Sequence, residues 1–158
     1  MLKCLILVRW LGLAGFLAVA VLAADLMAAP GLKEPKDELK HFEGDWTFES
    51  WQQSGEQLPE DLLKTASWTV KGDRYTFELA GDREEGTIKL DPSRKPAALE
   101  LKITEGKDKG KTQVGIYKFD GDKIIICLAQ PGEKERPADF ATTEDDDNIL
   151  VVIRRVKK

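Results

Sequence analysis

The chain of 158 residues carries 28 acidic and 24 basic side chains, a formal net charge of −4, and is long enough for one domain. An acidic balance of this kind argues against a nucleic-acid partner or an anionic-lipid partner, since both require a basic surface. The lone histidine, His41, excludes any multi-histidine zinc site.

Residues 1–23 read as a signal peptide. Lys3 and Arg9 form a basic start, and Trp10 to Ala24 is an uncharged apolar run that Asp25 ends. That run falls short of the roughly 20 residues a membrane-spanning helix needs. Val21-Leu22-Ala23 has the small-residue spacing of a signal-peptidase site, with Ala28-Ala29 as a later alternative. Retention as a membrane anchor is the competing reading. Cleavage removes both basic residues and leaves a net charge of about −6. It also removes Cys4, which precedes the apolar run and so lacks the placement of a lipidated cysteine. Cys127 is then the one remaining thiol, and no internal disulfide can form. The expectation is an exported protein, periplasmic or secreted, with no stable membrane anchor. Residues 24–36, with Pro30, Gly31 and Pro35, read as a flexible linker to a domain over residues 37–158.

Asp37 to Phe42 suits one helical turn, with Leu39 and Phe42 three apart on one face. In this position it would plug one end of a barrel. Gly44-Asp45-Trp46 opens the first strand, where Trp46, Phe48 and Ser50 alternate with Thr47, Glu49 and Trp51. Pro59 to Lys64 reads as a short helix, with proline and acids in its first turn, placed across the barrel mouth. Strands Ser67 to Lys71 and Arg74 to Leu79 meet at Gly72-Asp73, and Ala80-Gly81-Asp82 leads into Glu85 to Leu90. Leu99, Leu101 and Ile103 alternate with Glu100 and Lys102 beyond a basic loop bracketed by Pro92 and Pro96. Gln113 to Phe119 follows a turn at Glu105 to Gly110. Asp120-Gly121-Asp122 then precedes Ile124 to Ala129, apolar on both faces and so expected to be central. A loop from Pro131 to Pro137, a short strand around Phe140 and a last strand from Ile149 to Val156 complete the chain.

Eight or so short strands joined by tight turns, with no helix long enough for a parallel crossover, point to a mainly β fold. Closure into an antiparallel up-and-down barrel removes the exposed edges such a meander would leave. A two-sheet sandwich is the competing architecture.

Gly44-Asp45-Trp46 after a short helix, with an arginine on the last strand, resembles the lipocalin and wider calycin signature. More narrowly, the chain from about Asp37 to Lys158 is similar to a lipocalin-like domain family of unknown function abundant in planctomycete bacteria. The similarity runs through Gly86-Thr87-Ile88-Lys89-Leu90-Asp91-Pro92, Thr104-Glu105-Gly106, Gly115-Ile116-Tyr117, Asp120-Gly121-Asp122, Ile126-Cys127 and Arg136-Pro137-Ala138-Asp139-Phe140. The resemblance implies that Gly44 and Trp46 mark the closed barrel end, with Arg155, or alternatively Arg154, packed over the indole. It implies the fold; a fold is weak warrant for an activity.

No catalytic constellation stands out. Cys127 sits in the most apolar strand, which suits an inert buried thiol. His41 reads as a solvated helix-surface residue. Glu144-Asp145-Asp146-Asp147-Asn148 lacks the glycine and spaced glutamate of a calcium loop and reads as a turn. Arg136, Pro137 and Asp139 fit a pocket rim or a loop salt bridge. There is no paired-carboxylate dyad, no glycine-rich phosphate loop and no nucleophile elbow. An enzyme, a metal and a cofactor are therefore not expected. What remains is aromatic: Trp51, Trp68, Tyr75, Phe77, Tyr117 and Phe119 are the candidate barrel lining, with Gly115 leaving room beside them. Two readings follow. One is an exported barrel that binds a small hydrophobic ligand. The other is a filled barrel serving as a structural or protein–protein interaction module, which would show an exposed apolar patch.

Overall fold

The computed structural model describes residues 35–157. The expected leader, and all but the end of the expected linker, lie outside the described residues. In chain order the elements are α1 (Pro35–Phe42), β1 (Gly44–Gln53), β2 (Glu56–Gln57), α2 (Glu60–Leu63), β3 (Ser67–Lys71) and β4 (Arg74–Leu79). They continue as β5 (Asp82–Asp91), β6 (Ala97–Glu105), β7 (Thr112–Asp120), β8 (Lys123–Leu128) and β9 (Ile149–Arg155). Each strand from β3 onward pairs antiparallel with the next, and β1 bonds to both β3 and β9. The result is a closed eight-strand up-and-down barrel formed by β1 and β3–β9; the β1–β9 pairing closes the meander and excludes the competing two-sheet sandwich. Among the described residues, no helix is long and apolar enough to cross a membrane.

Four local differences from the sequence expectation have physical reasons. Helix α1 starts at Pro35 rather than Asp37, because proline suits a first helical turn, where the missing amide hydrogen is not needed. Ser54 and Gly55, both at positive φ, turn β1 back on itself and create the two-residue β2. A bulge at Glu49, seen as a register shift between Phe48 and Ser50 against β9, inverts the alternation. Trp51 thereby joins Phe48 on the inner face, where strict alternation would have turned it outward. Finally, Phe140 lies in no strand. A closed barrel offers no free edge for it to pair with, so the segment between β8 and β9 packs by side chains instead.

That segment runs over the outer face of β6, β7 and β8. Arg136 pairs with Glu100 of β6, and Lys118 Nζ of β7 lies 4.5 Å from the centroid of the Phe140 ring. Cys127 of β8 donates from its thiol to the Ala141 carbonyl at 3.6 Å. Cys127 is buried because the segment covers it, which explains why β8 is apolar on both faces. Burial, with Asp146 adding negative charge, pushes the thiol pKa up to about 11. Only thiolate reacts with alkylating agents, so Cys127 should label roughly a hundredfold more slowly at pH 8 than an ordinary thiol. Peptide mapping after iodoacetamide treatment, over a series of pH values, reads this directly. Labelling at the rate of free cysteine would contradict the covered position.

Candidate functional site

The barrel has two unlike ends. At the first, α1 inserts Phe42, which is fully buried and meets Trp68, Tyr117 and Phe119 edge-on at centroid distances of 6.0, 5.1 and 5.6 Å. Edge-to-face packing of this kind brings the positive rim of one ring to the negative face of another. The Tyr117 hydroxyl donates to Glu38 of α1 at 3.3 Å, tying the helix to β7. Burial, reinforced by the Glu38 charge, holds the Tyr117 phenol above its usual range.

Trp46 and Arg155 close that end. The indole Nε1 of Trp46 donates to the Phe42 carbonyl at 2.7 Å, satisfying one of the open carbonyls of the helix end. The Arg155 guanidinium lies 4.4 Å from the Trp46 ring centroid. It also donates to the carbonyls of Glu43 and, at 2.7 Å, His41. Gly44, at φ +126°, lets it in: a Cβ there would stand 2.7 Å from Arg155 Nη1. Arg154, the alternative partner, points outward and pairs with Glu49 at 2.7 Å.

The other end holds a cavity of about 230 Å³. Trp68 forms its floor, since that ring touches both Phe42 below and Tyr75 at 6.2 Å. Phe48, Trp51 and Phe77 make one wall, mutually 5.6 to 5.7 Å apart, with Trp51 and Phe77 stacked at 26°. The rest of the wall is aliphatic: Leu99 and Leu101 of β6, Ile126 and Leu128 of β8, and Ile149, Val151 and Ile153 of β9, the last two beside Trp51 and Phe48 across the β1–β9 ladder. Gln53, Glu84, Asp108, Gln113 and Gln130 supply the polar lining. Of these, Gln113 is buried and gives its amide to the Ala129 carbonyl at 2.8 Å. Gln130 donates to the Asp147 carbonyl at 2.6 Å.

One polar cluster is built with care for geometry. Tyr75 donates its hydroxyl to Glu84 Oε1 at 2.9 Å. It can do so because the ring lies across Gly86, its cross-strand partner; a Cβ on Gly86 would fall 2.7 Å from Tyr75 Cε1. Burial raises the Glu84 pKa, the Tyr75 hydrogen bond opposes that rise, and the negative charge of Asp108 adds to it. Burial and the neighbouring Glu84 together hold the Tyr75 phenol far above its ordinary range.

Of the six expected lining aromatics, Trp51, Trp68, Tyr75 and Phe77 face the cavity. Tyr117 and Phe119 do not line it; the plug helix draws both onto Phe42 at the closed end. Gly115 leaves no room either, because the Leu128 side chain fills its place, 2.7 Å from where a Cβ would be. Glu84 is the residue that sequence reading missed, and a signal for it was present. A two-residue turn at Ala80-Gly81 pairs Leu79 with Asp82 and hence Phe77 with Glu84. If Phe77 points inward, Glu84 must do so too.

The remaining candidates lie elsewhere. His41 is exposed and contacts Phe119 edge-on at 5.8 Å. Asp146 accepts hydrogen bonds from Thr143 and Asn148, a local turn. No cluster of three metal-ligating side chains occurs among the described residues. Comparison of the chain with protein-family models, with curated proteins and with solved structures returns no match.

Proposed function

We propose that this chain is an exported, lipocalin-like binding module that holds one small hydrophobic molecule inside its barrel, rather than an enzyme. The observation that carries the reading is the cavity of about 230 Å³ behind the Trp51–Phe77 stack. Close-packed interiors have few voids larger than a water molecule, whose share of liquid volume is about 30 Å³. A barrel whose job was structural would gain stability by filling the space, as the plugged end does. An apolar cavity of about 150 Å³ is enough to take up benzene, so this one suits a molecule of one or two rings. The basic start and apolar run of residues 1–24 support export. The stacking of Arg155 on Trp46 supports the lipocalin-like resemblance.

Trp51 and Trp68 report on the site, because both rings line it. Titration with neutral one-ring and two-ring aromatic compounds should change their fluorescence saturably, and native mass spectrometry should show one ligand per chain. Replacing Leu128 with tryptophan places a ring in the same space and should weaken uptake roughly tenfold or more while the fold persists. The absence of any saturable change, with a bare native mass, would instead favour the filled barrel as an interaction module.

A further inference from the structure

The lining of the cavity is one-sided in charge. It includes two carboxylates, Glu84 and Asp108, and no lysine, arginine or histidine. The two are not equivalent. Asp108 already accepts from Lys111 Nζ at 2.7 Å. Glu84 pairs with no cation among the described residues; its one hydrogen-bond donor is the Tyr75 hydroxyl, at Oε1. That bond fixes the carboxylate and leaves Oε2 to accept from something else.

Glu84 stands directly opposite Phe77 across the β4–β5 ladder, and Phe77 stacks on Trp51. A carboxylate beside aromatic faces is the recognition chemistry of an organic ammonium. The ring faces attract a cation, and the carboxylate accepts its N–H hydrogens. An anionic ligand such as a fatty acid would instead bring a third negative charge into a space of low polarity. Building on the binding reading above, we infer that the barrel selects a small protonated amine carried on an apolar or aromatic body. The body occupies the space between the aromatic and aliphatic walls, and the ammonium sits against Glu84 with Phe77 beside it. The unfavourable burial of Glu84 fits this assignment, because a carboxylate kept in such a place without a cation is more typical of a site than of a packed core.

Three probes with the same ring and nearly the same length separate the possibilities: 2-phenylethylamine, 2-phenylethanol and 3-phenylpropionate. Isothermal titration of the purified chain at neutral pH should show the amine binding roughly tenfold or more tightly than the alcohol. The carboxylate should bind more weakly than either. In Glu84→Gln, which keeps an acceptor for Tyr75, the advantage of the amine over the alcohol should collapse to about onefold, with far-UV circular dichroism confirming the fold. Equal affinity of amine and alcohol for the parent chain, or tightest binding of the carboxylate, would overturn the charge assignment and leave the binding barrel standing. No saturable binding by any of the three would overturn both.

Discussion

Replacing Trp46 with alanine is expected to destabilise the barrel by about 3–5 kcal/mol, the range seen when a buried large aromatic is truncated. Trp46 is only 2% exposed, and three parts of the fold converge on it. The ring fills the closed end beside Phe42, its Nε1 holds the Phe42 carbonyl at the end of α1, and its face supports Arg155 of β9. Truncation therefore opens a void, strips a donor from a helix-terminal carbonyl and leaves the guanidinium without its platform. Arg155→Ala removes only the last of these and its carbonyl contacts. The stacking of an exposed guanidinium is worth about 0.5–1 kcal/mol, so this variant should lose far less than Trp46→Ala. Denaturant melts of the two single variants and the double variant give the coupling directly. A barrel of this size should lose roughly 10–20 °C of melting temperature in Trp46→Ala. A loss below about 1 kcal/mol would mean that α1 and Arg155 hold the closed end without the indole, and the closure described above would be wrong.

The parts of this molecule that sequence reading reached are those fixed by periodicity and turns. Strand period, glycine at each tight turn and the lack of any crossover helix lead to a closed meander, because no other arrangement pairs both edges of so many short strands. For Trp46, alternation with Phe48 along the first strand suggests an inner face, and its place at the closed end is what the resemblance carried by Gly44-Asp45-Trp46 implies. The cavity was only half legible. Trp68, Tyr75 and Phe77 follow from alternation, but a single-residue bulge at Glu49 re-aims Trp51, and bulges leave no periodic trace. Tyr117 and Phe119 sit on the inner face too; what separates them from the cavity is the depth to which Phe42 enters, a property of tertiary packing. Glu84 was hidden by its type, since a charged residue next to a turn is ordinarily solvated. Only the register of the β4–β5 hairpin turns it inward.

Gly86→Ala should test that register and the site together. A Cβ on Gly86 would stand 2.3 Å from the carbonyl oxygen of Lys102, a backbone atom on β6, and 2.7 Å from Tyr75 Cε1. The backbone on one side can yield only by opening the β5–β6 ladder, which already carries a register shift at Glu85 and Gly86. The ring on the other side can yield only by lifting off β5, which separates its hydroxyl from Glu84. Overpacking of this kind typically destabilises by about 1–3 kcal/mol, read as a lower denaturant midpoint. The alkaline titration gives an independent readout with a definite sign. Burial and the negative charge of Glu84 both disfavour the phenolate of Tyr75, so in the parent it forms only at high pH. Once lifted towards solvent, the phenol should move back towards about 10, and phenolate absorbance should appear at lower pH in the variant. The amine preference should weaken in parallel, because Glu84 loses the bond that aims it. Full parental stability with an unchanged tyrosine titration would show that Tyr75 does not depend on the missing side chain at Gly86. The hydrogen bond that orients Glu84 would then need a different support.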